Sequence, residues 1–205
     1  MEERFANVQH HVGDVYVADY TQFAAEHPDP AVRGVVVSDE KPELIGSLLF
    51  RNPNHVRVLS VNFEKNQGLF RPDGLERVSS CECMLVSEQG NQKRWLALAE
   101  LKYCKGADRN IASNFKEALG QLKETFLYLR DEVGLFRENE YKYYWIVSMP
   151  EHSDKIPFSS FVLTQDDLLA YKERYKSVII SDNIVEIWTG TVIKPPVYRN
   201  QTVNQ

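Results

Sequence analysis

Three cysteines in 205 residues cannot all pair with one another, which excludes the disulfide framework of a small secreted domain. Glycine (10) and proline (9) are few and scattered, so there is no collagen-like repeat and no Gly/Pro-rich linker tract. No apolar run approaches the roughly 20 residues needed to cross a bilayer, which argues against a membrane partner. Met1-Glu2-Glu3-Arg4 is acidic where a secretory leader is basic and then apolar, and cytoplasmic residence is the expectation. Neither sign of charge dominates. Against 24 basic side chains stand 29 acidic ones, and a balance of −5 is not that of a protein that coats nucleic acid. A nucleophile elbow, a phosphate-cradling P-loop and a dinucleotide fingerprint are missing as well. The five histidines show no ligand spacing such as His-Glu-x-x-His, and His10-His11 reads as a surface pair.

What is present suits an ordinary globular protein, 43% hydrophobic and 26% charged, long enough for one domain with a substantial core. The spacing of Tyr20, Phe23 and Ala24 predicts a short helix over Asp19 to His27. Strands are predicted at Gly34 to Ser38, Leu44 to Phe50 and His55 to Phe63, with turns at Asn66-Gln67-Gly68 and Arg71-Pro72-Asp73-Gly74. From Ile111 to Arg130 the residues Phe115, Leu119, Leu122, Phe126 and Leu129 recur three or four apart, the signature of an amphipathic helix. An aromatic-rich strand over Tyr141 to Met149 ends at Pro150. Thr164 is the expected N-cap of a helix running to about Tyr175. Ser177 to Ser181 and Ile184 to Val192 complete the set of strands.

The most informative stretch is a predicted hairpin. Its arms are Cys81 to Ser87 and Trp95 to Tyr103, folded about Asn91. That register sets Glu82 opposite Glu100, about 5 Å away, and alternation puts Lys102 on the face of Glu100. Two adjacent carboxylates repel unless a cation joins them. A divalent metal resolves the conflict, and the lysine can then hold a water or a phosphate. The second arm, Leu96-Ala97-Leu98-Ala99, is apolar on both faces and reads as a covered central strand whose charged end opens on a cleft. Between Lys93 and Lys123 seven basic residues outnumber three acidic ones, a local +4 beside the acidic pair.

Taken in order, a short helix, strands, a hairpin with Glu82 and Glu100-Leu101-Lys102, a long helix and a further strand resemble the PD-(D/E)XK nuclease superfamily. The resemblance implies an α/β (α+β), restriction-endonuclease-like fold: a mixed central sheet flanked by helices in one domain spanning 1–205. Its core would cover about 19–149, with accessory strand–helix elements over 151–194. It also implies a Mg²⁺-dependent nuclease, with Mn²⁺ as a substitute, acting on nucleic acid and in the first instance DNA. Glu82, Glu100 and the backbone carbonyl of Leu101 would ligate the metal, and Lys102 would position the attacking water. Lys105, Arg109 and Gln121 would contact the nucleic acid. A homodimer is one assembly able to cut both strands.

Some choices stay open in the sequence. Pro72-Asp73 matches the motif's letters, but Asp73 lies nine residues before Glu82, about 30 Å of extended chain, which favours Glu82 as first acid. Asn114, Gln121 and Tyr128 form one helix stripe, yet the residue four after Gln121 is Thr125, unlike the tyrosine of the RecB-like branch. Alternation puts Cys81 and Cys83 on the face opposite Glu82, with Cys104 in the parity of Glu100. These cysteines read as small apolar residues and not as a metal set. The rings of Tyr141-Lys142-Tyr143-Tyr144 can stack on bases, or pack one strand face into a core. The alternative function is a non-catalytic nucleic-acid-binding or protein-interaction module that retains the nuclease fold.

Overall fold

The computed structural model describes residues 4–27, 32–71, 78–90, 93–103, 111–136, 140–152 and 163–197. Five strands alternate with little helix at first: β1 (Val8–His11), β2 (Val15–Asp19), α1 (Thr21–Glu26), β3 (Val35–Ser38), β4 (Leu48–Arg51) and β5 (Val58–Asn62). A 3-10 turn over Glu64–Phe70 leads toward β6 (Cys83–Ser87) and β7 (Arg94–Leu101). Then come α2 (Ile111–Asp131), β8 (Tyr141–Ser148), α3 (Gln165–Tyr175), β9 (Ser177–Ser181), β10 (Ile184–Thr189) and β11 (Val192–Lys194). The strands form a six-stranded sheet, β1-β5-β6-β7-β8-β9, and a five-stranded sheet, β11-β10-β4-β2-β3. The class expected from the sequence, α+β with a mixed central sheet, is the class observed.

Strands β5, β6 and β7 form an antiparallel meander, whereas β8 and β9 run parallel to β7. Parallel neighbours need a crossover, and α2 and α3 occupy the two connections. The apolar stripe of α2 explains where it lands. Phe115, Leu119, Leu122, Phe126 and Leu129 are buried with Leu96 and Leu98 of β7 and with Trp145 of β8. Burying each such side chain contributes about 1.5–3 kcal/mol.

Among the described residues, helices cover only one face of this sheet. On the other, Trp95, Ala97, Ala99 and Leu101 of β7 pack against Val15, Val17, Leu48, Phe50, Val185 and Ile187 of the five-stranded sheet. The helix-flanked expectation is corrected to helix, sheet, sheet. The segment after Glu151 supplies β9 to one sheet and β10 and β11 to the other. Single strands expected at Leu44 to Phe50 and Ile184 to Val192 are also revised. Leu44 is exposed and β4 begins at Leu48, while β10 and β11 are two antiparallel strands joined at Gly190. A Cβ at Gly190 would lie 2.0 Å from the Gln89 carbonyl oxygen, so the turn closes against the chain leaving β6. His11 is no surface residue: it is 4% exposed, with Nδ1 2.6 Å from Asp39 and Nε2 2.8 Å from Ser60 Oγ. It sits on β1 opposite Val58, where the strand turns a side chain inward. Among the described residues no helix is long and apolar enough to cross a membrane.

Candidate active site

The hairpin has the expected partners but not the expected end. Its ladder runs from Val86↔Leu96 to Cys83↔Ala99. The next N–H, that of Glu82, donates to the Ala99 carbonyl at 3.0 Å, so two residues of one strand face a single residue of the other. This is the arrangement of a β-bulge, which bends a strand and re-aims its side chains. Glu82 therefore does not sit square opposite Glu100. The bulge also separates the cysteines: Cys81 packs into the helix-side core and Cys83 into the inter-sheet core. Their expected common face is corrected. Burial pushes both thiols well up, which keeps them protonated and unreactive.

Glu100 and Lys102 extend toward α2 at the end of β7. Glu100 is 1% exposed, and its Oε1 lies 3.1 Å from Lys102 Nζ. Its Oε2 is buried with no hydrogen-bond partner among the described residues. Lys102 Nζ also donates to Gln121 Oε1 at 2.6 Å and to Glu117 Oε1 at 2.7 Å, both on α2. Its backbone is fixed from the other side, because Lys102 N–H donates to the Ser148 carbonyl of β8. Asn183 secures that strand end through Ser148 Oγ and both backbone groups of Met149. Since Lys102 N–H points at β8, the alternating backbone turns the Leu101 carbonyl toward β6, while the Leu101 side chain lies in the inter-sheet core.

Burial is the main reason that Glu82 holds its proton well above the ordinary carboxylate range, with the charges of Glu100 and Asp19 adding to it. Glu100 is raised for the same first reason, partly offset by the Lys102 ammonium beside it. For Lys102, burial pulls downward, but Glu100 and Glu117 outweigh it and the net direction is up. The lysine is thus a fixed cation at neutral pH. The two acids lack enough positive charge to ionise together.

The structure brings together Glu100, Lys102 and Gln121 by direct contact, and Glu82 with them electrostatically. Asp73, Lys105, Arg109 and Cys104 lie outside the described residues. Two participants were not singled out from the sequence. Glu117 stands four residues before Gln121 on the same helix stripe, so its signal was available. Asp19 comes from β2 in the other sheet, with no local sequence cue. Its N–H donates to Tyr103 Oη at 3.0 Å, and Tyr103 donates in turn to the Gly46 carbonyl at 2.9 Å. Asp19 and Tyr103 line a cavity of about 220 Å³ beside α1. Among the described residues no group of three His, Cys, Asp or Glu side chains is arranged to hold a metal ion. Comparison with models of protein families, with curated proteins and with solved structures finds no match.

Proposed function

We propose that this protein is a Mg²⁺-dependent nuclease that hydrolyses phosphodiester bonds in DNA, on the restriction-endonuclease-like plan of the PD-(D/E)XK superfamily. One observation carries the reading: Glu100, buried at the end of a central strand, leaves Oε2 unsatisfied while Lys102 holds Oε1 at 3.1 Å. A buried carboxylate oxygen without a donor is costly, and a cation removes the cost. The order of elements supports it too, with the acid-bearing hairpin followed by α2 and by β8 parallel to β7. Cytoplasmic residence is part of the proposal, and a homodimer is one assembly able to cut both strands.

Glu82, Glu100 and the Leu101 carbonyl are the groups that would hold Mg²⁺ or Mn²⁺, which when bound polarises a phosphate and acidifies a water. Lys102 remains an ammonium, so it orients the nucleophilic water and steadies negative charge developing on the phosphate, and it does not serve as the base. Gln121 and Glu117 fix the position of Nζ against α2, which pre-organises that charge.

Cleavage of plasmid and single-stranded DNA in Mg²⁺, Mn²⁺ or EDTA tests the proposal beside Glu100→Ala and Lys102→Ala. Metal-dependent cutting should fall at least about 100-fold in each variant, with the circular dichroism spectrum unchanged. Wild-type protein that cuts nothing, or cutting that persists in both variants, would favour a non-catalytic module.

A further inference from the structure

At the opposite end of β7 from Glu100 lies a second concavity. It occupies about 490 Å³ where β7, β8 and β9 begin, between the end of α2 and α3. Its described lining includes Lys93, Arg130, Lys142, Lys172, Arg174 and Lys176, and among the described residues no aspartate or glutamate. Six cations lining one space stand out in a chain whose formal charge is −5. Arg130 is already paired with its chain neighbour Asp131, at 2.6 Å from Nε and 2.8 Å from the terminal nitrogen, so the other cations carry most of the charge. An anion in the groove would relieve the repulsion among the cations.

The groove is built, not incidental. Arg130 lies over the Phe126 ring at 5.5 Å and Arg174 over Tyr175 at 5.3 Å, so aromatic faces hold both guanidinium groups in place. Tyr141, Tyr143 and Tyr175 are largely buried and give the groove an aromatic floor. Lys142 is exposed and donates to the neutral Thr191 carbonyl at 3.2 Å. Lys176 closes α3 with φ at +55°, a left-handed position that glycine or asparagine usually fills. Lys176 is exposed and lines the same space.

We infer that this groove binds the phosphodiester backbone of a nucleic-acid strand, as a docking track separate from the candidate active site. The cations are spread over the starts of β7, β8 and β9 and the adjoining helix ends, wider than a single phosphate requires. The choice of nucleic acid over another polyanion rests on the proposed nuclease function. From Arg94 to Glu100 the strand spans about 20 Å. At the duplex rise of about 3.4 Å per nucleotide, about six steps reach from one site to the other.

Fluorescence anisotropy of labelled single-stranded oligonucleotides, from about 4 to about 20 nucleotides long and in EDTA to prevent cleavage, tests the groove independently of activity. The K142A/K172A/K176A triple variant, checked for an unchanged melting temperature, should bind at least about tenfold more weakly. Its affinity should also depend less on salt, by about 0.7 in the log–log slope for each phosphate that the variant no longer neutralises. Wild-type and triple variant binding alike would overturn the inference. So would tripolyphosphate binding in the absence of oligonucleotide binding, or polyglutamate competing as well as DNA. Groove-dependent binding without metal-dependent cleavage would uphold the groove and defeat the nuclease.

Discussion

Glu82 and Glu100 enter the folded state with their proton affinity raised, because burial outweighs the compensation that Lys102 provides. A carboxyl that binds its proton more tightly when folded draws protons into the native state. Its contribution to stability is full below the unfolded value and fades as pH rises through the folded one. For Glu82 that window runs from about 4.5 to about 9. Metal-free protein is expected to lose melting temperature across it, and Glu82→Gln, which cannot ionise, should flatten the decline. Thermal melts of both proteins read this directly, and parallel slopes would count against a buried Glu82 charge. Added Mg²⁺ should raise the melting temperature more at about pH 8 than at about pH 6, since protons compete for the same oxygens. Glu100→Gln should remove that dependence. Glu100, Lys102 and Gln121 were legible because two share one strand face and the third lies on the helix that covers it. Asp19 was not, since only the meeting of two sheets brings its charge near Glu82.

The elements divide by how local their causes are. α2 follows from a repeating apolar stripe, and Leu122, fully buried beneath it, is expected to cost about 2–5 kcal/mol as Leu122→Ala in urea unfolding. α3 follows from its capping box, in which Thr164 and Asp167 bond each other's backbone, and Thr164→Ala should cost about 1 kcal/mol. The β10–β11 turn is different. Ile184 to Val192 looks like one strand from its residues, yet the chain reverses at Gly190, where the Gln89 carbonyl leaves no room for a Cβ. Gly190→Ala should therefore destabilise by about 1–3 kcal/mol through crowding, as measured by the same unfolding curves. The bulge at Glu82 was equally hidden, because a single shared carbonyl partner leaves no mark in an alternating pattern.

Across the whole molecule, the five-stranded sheet depends on pairing β4 with β10 in parallel, Phe50 against Val185, from distant parts of the chain. A chain ending at Asn183 would strip that sheet of β10 and β11 and uncover Leu48, Phe50 and Trp95. It is expected to be insoluble or unfolded, which expression and gel filtration would reveal. Charge is also redistributed by folding. Lys93 and Lys102 belong to one basic segment of sequence, but about 30 Å of strand separates them, so one joins the cationic groove and the other the acidic site. The sequence by itself determined what short-range periodicity can encode: the long helix, the central hairpin, the acid–lysine face and the α+β class. The tertiary structure alone decided that a second sheet replaces one helical layer, that Glu82 is offset by a bulge, and which charges meet. Those outcomes depend on contacts between residues far apart in the chain, and neither alternation nor helical spacing records such contacts.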